Sequence, residues 1–260
     1  MKITEVITLA WSYRRAWWFT ATSRTKERFA RTALGSFWLG LSNLLSVGAL
    51  ASVYGTVFKV QDFRQYVVFL GLGLIIWNTI AAAIQSAPNL LKANAGNIKN
   101  TNLHPIFYTC EEWSFQLQTF FQSFALVILA LSFFQHDLIL NFITHGILPA
   151  INFLAFIYWF PIIICVLGAK YEDFYQLIPI VLQLMFLLTP ILYQKSALGS
   201  IGWTAEINPI YLILNDMRNS IIGTNTINIH TLMIAIFNIA GIYISLKILE
   251  RQRSRFPFIL

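Results

Sequence analysis

Long stretches without a charged side chain constrain this chain more than any other feature. Residues 34–58 and 66–91 contain no Asp, Glu, Lys or Arg. A helix of about 20 apolar residues crosses a bilayer core of about 30 Å, so each stretch is long enough to span a membrane. Only 11% of the chain is charged and 57% is hydrophobic, whereas soluble domains average roughly 25% charged residues. The chain is therefore an integral membrane protein.

The apolar stretches predict an all-helical fold with six membrane spans. These spans lie at residues 34–58, 66–91, 113–135, 148–168, 178–194 and 227–246. Little chain remains outside them, so we treat residues 1–260 as a single transmembrane domain.

Basic residues are unevenly divided between the two sides that six spans define. Fourteen of the 18 Lys and Arg residues fall on one side, and the other side holds Lys59, Arg64, Lys195 and Arg218. Because basic flanking segments stay in the cytoplasm, we expect both termini to be cytoplasmic. The basic residues flank the spans, so the net charge of +7 indicates orientation rather than nucleic-acid binding.

The first 31 residues combine basic side chains with apolar positions at helical spacing. Trp11, Trp17 and Trp18 are residues suited to the headgroup level of a membrane. The pattern predicts an amphipathic helix on the inner membrane surface. A basic flank that only orients the first span is the other interpretation.

Proline and glycine interrupt the chain after the fifth predicted span. Thr189-Pro190 lies near the end of residues 178–194, and Gly199, Gly202 and Asn208-Pro209 follow. Proline breaks or kinks a helix, and broken backbone at membrane depth survives only where protein or a water-filled cavity satisfies its polar groups. A lumen or gate nearby is one interpretation, and a simple helix end is the other.

The residues offer little for catalysis or ion coupling. The six predicted spans contain no Asp, Glu, Lys or Arg, whereas ion-coupled carriers bury such groups despite a cost of roughly 2.5–3.5 kcal/mol each. Scattered histidines and turn acids predict neither a catalytic site nor a metal site. Thr109-x-x-Glu112 fits a capping box at the start of the third span. The sequence G-x-x-x-x-G-K-[ST] is absent, so any ATP must be bound by a partner.

Two motifs near the break resemble a known family. Thr189-Pro190-Ile191-Leu192-Tyr193 is followed by Asn208-Pro209-Ile210-Tyr211 and then by Arg218. This pattern resembles the fifth-span end and external gate hairpin of ABC-2 type permeases, particularly the Wzm-like branch that exports polysaccharides and O-antigens. The span order and the loop between spans two and three also fit, so the resemblance extends over nearly the whole chain. It implies a periplasmic gate hairpin at residues 195–218. The gate candidates are Pro190, Trp203, Asn208, Pro209, Tyr211 and Arg218.

The resemblance also implies contacts with a separate ABC ATPase. Residues 1–31 become an interface helix, and the polar stretch between spans two and three becomes a coupling helix. A solvated loop is the alternative that the residues alone leave open. The coupling candidates are Asn94, Asn97, Ile98, Lys99, Leu103, His104 and Pro105. One departure lies at Glu172, where many members have an arginine, so any contact of that arginine is in doubt here.

The resemblance further implies that two copies enclose one conduit lined by spans one and five. The candidate lining residues are Phe37, Trp38, Tyr54, Phe58, Phe186 and Tyr193. Interfacial aromatic belts explain most of these residues equally well.

Together these features predict the permease half of an ATP-driven exporter in a bacterial cytoplasmic membrane. Its expected cargo is a lipid-linked glycan of the undecaprenyl type. ATP and magnesium are expected on two partner ATPase subunits, with no cofactor in this chain. An ABC-2 exporter of a drug or lipid is the alternative within transport, and a membrane-embedded glycan-modifying enzyme is the alternative from another class.

Overall fold

A computed structural model describes residues 2–101, 103–224 and 228–259. Within these ranges the chain is helical, with short 3-10 and π segments and no strand. The α-helices are α1 (Ile3–Ser12), α2 (Arg14–Phe29), α3 (Phe37–Val57), α4 (Phe63–Ser86), α5 (Leu90–Ala93), α6 (Ala95–Thr101), α7 (Ile106–Leu131), α8 (Leu138–Asn141), α9 (Ile147–Lys170), α10 (Asp173–Leu188), α11 (Trp203–Ile207), α12 (Pro209–Ile222), α13 (Ile229–Gln252) and α14 (Phe256–Ile259).

Five helical segments in the described ranges are long and apolar enough to cross a membrane. They are Phe37–Val57, Phe63–Ala93, Ile106–Leu131, Leu138–Lys170 and Ile229–Ile259. Each overlaps one of the six predicted spans. The last predicted span, 227–246, begins at a residue outside the described ranges.

The remaining predicted span, 178–194, corresponds to a shorter helix. α10 has 16 residues, which at 1.5 Å per residue gives about 24 Å, less than a bilayer core of about 30 Å. It ends before Pro190, whereas Pro179 lies inside it. The six-span count therefore depends on how α10 and the residues after it sit in the membrane.

α4 lies at the centre of the bundle and packs against α3, α7, α9, α10 and α12. The α4 segment is also joined closely to α9, because a Cβ atom on Gly168 would lie only 2.5 Å from the Cα atom of Pro88. α9 packs along α13, where the indole nitrogen of Trp159 donates to the side-chain oxygen of Asn238 at 2.8 Å. Both the close glycine contact and the buried hydrogen bond hold the inner helices in register.

The predicted amphipathic helix of residues 1–31 is two helices, α1 and α2, and α2 packs against α7. Arg24 of α2 forms an ion pair with buried Glu112 at 2.7 Å, and Gln118 donates to Thr22 at 3.0 Å. The predicted capping box is wrong, because α7 begins at Ile106 and the Thr109 hydroxyl donates to the Ile106 carbonyl within the helix. Glu112 instead anchors the N-terminal helices.

Candidate functional site

The chain loses regular helical structure directly after α10, while it is still buried. The Thr189 amide makes the last helical hydrogen bond, to the Met185 carbonyl at 2.9 Å. Pro190 then has no amide hydrogen with which to continue the helix. Thr189, Pro190, Ile191 and Leu192 are all buried. Buried backbone outside a helix needs other partners for its polar groups, and neighbouring helices supply them.

The first partner is the residue that begins α12. The side-chain oxygen of Asn208 accepts hydrogen bonds from the amides of Ile210 at 3.0 Å and Tyr211 at 3.4 Å, which makes Asn208 the N-cap of α12. Pro209 follows at the first helical position, where its missing amide hydrogen costs nothing. The side-chain amide of Asn208 also donates to the Thr189 hydroxyl at 2.9 Å. One residue therefore caps α12 and ties it to the end of α10.

The second partner is a buried arginine in the middle of α12. Arg218 is only 1% exposed. Its Nη1 donates to the Pro190 carbonyl at 3.1 Å and its Nη2 donates to the Asn215 side chain at 3.1 Å. This cation joins α12 to a carbonyl that the proline break removes from the helix.

Phe69 and Gly73 of α4 form the position in which that guanidinium group lies. The Arg218 guanidinium lies 3.7 Å from the centre of the Phe69 ring, an arrangement in which the ring face attracts the cation. Gly73 leaves the space that Nη1 occupies, because a Cβ atom there would come within 3.3 Å of it. Among the described residues no carboxylate lies within ion-pair distance of Arg218, and its Nε has no hydrogen-bond partner.

Two tyrosine hydroxyl groups also donate hydrogen bonds to backbone carbonyls close to the break. The Tyr66 hydroxyl of α4 donates to the Leu192 carbonyl at 2.8 Å, and the Tyr193 hydroxyl donates to the Leu187 carbonyl at 2.8 Å. We name the contacts that Asn208, Arg218 and Tyr66 make with residues 189–192 the latch. The latch fixes broken backbone to both α4 and α12.

The structure thus brings together four of the six predicted gate residues: Pro190, Asn208, Pro209 and Arg218. Tyr211 is buried on α12 directly after the cap, whereas Trp203 is 59% exposed on α11 and takes no part in the latch. The gate role itself stays a prediction. Sequence analysis missed Tyr66, Phe69 and Gly73, because they lie in an apolar stretch whose pattern signals only a membrane span.

The predicted conduit residues lie at three separate places. Phe37 and Trp38 are exposed at the start of α3, and Tyr54 stacks on Phe58 at its end, with ring centres 5.5 Å apart. Phe186, near the end of α10, packs on Trp77 of α4 at 5.6 Å. Tyr193 lies beyond α10, where it makes the hydrogen bond already described. Within one chain these residues form no single site, so their lining role remains a prediction.

The predicted coupling segment contains a short helix, α6, with an apolar inner side. Ile98 is 5% exposed, Asn94 donates to the Leu90 carbonyl at 2.8 Å, and α14 packs against α6. Asn97 and Lys99 are exposed on the outer side. Ile98 therefore packs within its own chain rather than offering an apolar contact to a partner. A cleft of about 390 Å³ is lined by Ile98, Leu103, Pro105, Glu250, Arg253, Ser254 and Pro257.

His104 joins this segment to the end of α13. Its Nδ1 accepts a hydrogen bond from the Ile106 amide at 3.1 Å, and its Nε2 lies 2.9 Å from a carboxylate oxygen of Glu250. Since Nδ1 accepts, the neutral ring carries its hydrogen on Nε2 and donates it to Glu250. Burial lowers the pKa of His104, although the hydrogen bond to Glu250 opposes that shift.

Glu172, the residue that departs from the expected pattern, also has a partner. Its carboxylate lies 2.5 Å from the Lys92 ammonium group, and that contact lowers the pKa of Glu172. The pair connects the chain after α4 to the turn before α10. Both side chains are largely exposed, so the pair positions the turn more than it stabilises the fold.

Comparison with known proteins agrees with this architecture. The sequence profile of the family described as ABC-2 type transporter matches residues 19–222, from α2 to the end of α12. The O-antigen export system permease protein RfbA of Klebsiella pneumoniae is 24% identical over 237 residues, which cover 90% of this chain and 91% of that protein. Because the profile covers most of the chain, including the latch, this multi-pass membrane protein belongs to the ABC-2 type transporter family as a permease subunit.

Proposed function

We propose that this protein is the permease subunit of an ATP-driven exporter of a lipid-linked polysaccharide similar to O-antigen. The observation that carries the cargo assignment is the match to a protein named as an O-antigen export permease, which extends over 90% of this chain and 91% of that protein. Agreement over nearly the full length of both chains supports a shared task more than a shared segment does.

ATP hydrolysis is assigned to two separate ABC ATPase subunits, because the sequence has no phosphate-binding loop. Asn97 and Lys99 are exposed on α6 and are proposed to contact the ATPase. Two copies of the chain are proposed to enclose the conduit. The largely apolar exposed surfaces of α3 and α10 support this, since they are available to a second copy or to lipid.

The proposed topology has six crossings of a bacterial inner membrane, with both termini in the cytoplasm. In it α10 and the backbone after it make the fifth crossing. The positive-inside distribution supports this orientation, which puts the latch near the outer surface. The latch then closes the exit of the conduit, and residues 195–218 form the rest of the gate.

The test is the fate of the polymer in cells that lack this chain. We expect surface polymer to disappear and finished polymer to accumulate inside while synthesis continues. Immunoblots of intact cells and of spheroplasts with an anti-glycan serum measure the two pools, and the restored gene is the control. Normal surface polymer in a deletion strain without a second permease would reject polysaccharide export and favour a drug or lipid exporter.

A further inference from the structure

Beyond its exposed first turn, α4 and the 3-10 turn Ala87–Asn89 that follows it expose a single narrow stripe. From Tyr66 to Leu91 the exposed positions are Asn78, Ala82, Gln85 and Asn89, and every other residue in that range is buried or half-buried. Their spacing of three or four residues aligns them along one side of the helix. Three of the four carry a side-chain amide, although they lie on α4 and the turn directly after it, at the centre of the bundle.

The exposed surface of α13 has a different composition. α13 exposes Leu232, Met233, Ile236, Phe237 and Ile239, which is the composition that a lipid-facing surface needs. An amide without a hydrogen-bond partner is costly in an apolar medium. The stripe on α4 is therefore unsuited to lipid and suited to a polar surrounding.

Neighbouring helices meet the stripe at its outer end and beside it. The amide of Asn78 donates to the side-chain oxygen of Asn43 on α3 at 2.8 Å. Trp77, the adjacent residue, packs on Phe186 of α10. α3 and α4 run in opposite directions, so the pairing of Asn43 with Asn78 puts the start of α3 level with Gln85. Of the predicted conduit residues, Phe37, Trp38 and Phe186 thus lie near the stripe, whereas Tyr54 and Phe58 lie at the other end of α3.

We propose that Asn78, Gln85 and Asn89 form an amide ladder that hydrogen-bonds to the hydroxyl groups of the sugar chain during export. This inference rests on the proposed function and extends it by naming residues that no conduit prediction included. A side-chain amide both donates and accepts, as a sugar hydroxyl does, and it carries no charge. Each such hydrogen bond contributes only about 0.5–1.5 kcal/mol net, so the ladder replaces water around the sugars without holding any one of them.

A neutral, hydroxyl-rich chain fits this stripe better than a second copy does. α3 and α10 present exposed apolar side chains such as Leu45, Val53, Ile180 and Leu184, which are better suited than amides to bury against another protein. Both helices pack against α4, so their exposed apolar side chains are available to a second copy. The amides between them are left facing the space through which the cargo passes.

Single cysteines test whether the stripe faces water. Ala82→Cys is placed in a chain carrying Cys110→Ser and Cys165→Ala, and Ile236→Cys on α13 is the matched lipid-facing control. Because only a hydrated thiolate reacts readily, a charged methanethiosulfonate reagent should modify Ala82→Cys at least ~10-fold faster than the control. Equal rates would overturn the proposal.

The same cysteine tests the cargo. Modification of Ala82→Cys should slow in cells that make the polymer, relative to cells in which the first glycosyltransferase is deleted, because sugars then cover the stripe. Equal rates in the two strains would show that the stripe is wet but does not contact the polymer, which would overturn the inference. This outcome does not contradict the proposed function, because that function is tested separately in cells that lack this chain.

Removal of the amides gives the second measurement. Gln85→Leu with Asn89→Leu should lower surface polymer roughly tenfold, because two hydrogen-bonding groups are lost, while the ATPase still co-purifies. Gln122→Leu, which replaces an exposed amide on α7, is the matched control and should export normally. Normal export by the double variant would overturn the ladder.

Discussion

The two ends of the bundle hold their non-spanning segments in opposite ways. The break after α10 is buried, and Asn208, Arg218 and Tyr66 hold its polar groups from within the same chain. The segment around α6 buries Ile98 but keeps Lys99 exposed, next to a cleft of about 390 Å³. At one end the chain supplies its own hydrogen-bond partners, whereas at the other it leaves the polar side of α6 exposed.

α4 connects these two ends of the bundle. α4 reaches both ends, because Tyr66, Phe69 and Gly73 support the latch and the helical turns after Ser86 lead to α6. A rigid helix with contacts at both ends is a physical route by which movement of the exposed segment could reach the buried one. The variants below compare the two ends by stability and by export.

Arg218 variants should produce the largest effect. Arg218→Ala leaves the Pro190 carbonyl and the Asn215 side chain without a donor and creates a cavity, so we expect a loss of roughly 2–4 kcal/mol. Arg218→Met restores much of the side-chain volume but not the hydrogen bond to the Pro190 carbonyl. We therefore expect it to recover much of the lost stability but little of the lost export. Apparent unfolding temperature in detergent and surface polymer in cells measure the two effects.

Arg64→Ala is the matched control for these variants, because Arg64 is an exposed arginine at the start of α4. It should change stability by less than about 0.5 kcal/mol. If Arg218→Met exported polymer as the unaltered chain does, the bond from Arg218 to the break would be dispensable. The backbone after α10 would then be held by packing alone.

Asn208 should give the next largest effect. Asn208→Ala removes the cap of α12 and the bond to Thr189, which should cost about 1–2 kcal/mol. Thr189→Val keeps the cap and the side-chain volume but removes the hydroxyl that accepts from Asn208. We expect Thr189→Val to lose less stability than Asn208→Ala but to reduce export similarly, measured by the same two assays. Equal loss of stability with normal export would assign Asn208 to folding alone.

The sequence predicted the features of this site that depend on neighbouring residues. Proline at position 190 predicts a helix break, and α10 ends just before it. Asn208-Pro209 begins α12 by equally local rules, although the sequence predicts only its place in a gate hairpin. The contacts of Arg218 with Phe69 and Gly73 could not be predicted, because they form only when α12 packs against α4, which is far from it in the sequence. Burial of Ile98 by α14 could not be predicted for the same reason, since it also depends on packing between distant helices. Because Ile98 is buried, an Ile98→Asp variant would test folding rather than contact with the ATPase.

His104 should make the end of the bundle that holds α6 sensitive to acid. Its pKa is lowered by burial, so the folded state keeps the ring neutral below the pKa of about 6.5 that the unfolded chain has. Stability contributed by the neutral ring is complete above that value and is lost as pH falls through the lowered pKa. When the pH is lowered from 7 to about 5.5, we expect the apparent unfolding temperature to fall. We expect a smaller fall in the His104→Gln variant. Identical pH profiles would remove His104 as the cause.

Lys99 should give the smallest effect on stability and still affect function. Its side chain is exposed on α6, and exposed substitutions usually change stability by less than about 0.5 kcal/mol. Lys99→Glu reverses a charge on the surface that we assign to the ATPase, so it should weaken co-purification of the ATPase and reduce surface polymer.

Arg251 is an exposed basic residue at the end of α13, so Arg251→Glu is the matched charge reversal outside α6. If both variants retain the ATPase and export normally, α6 is not the ATPase contact. If both lose the ATPase equally, the contact extends to the C-terminal helix and the cleft beside α6 belongs to it.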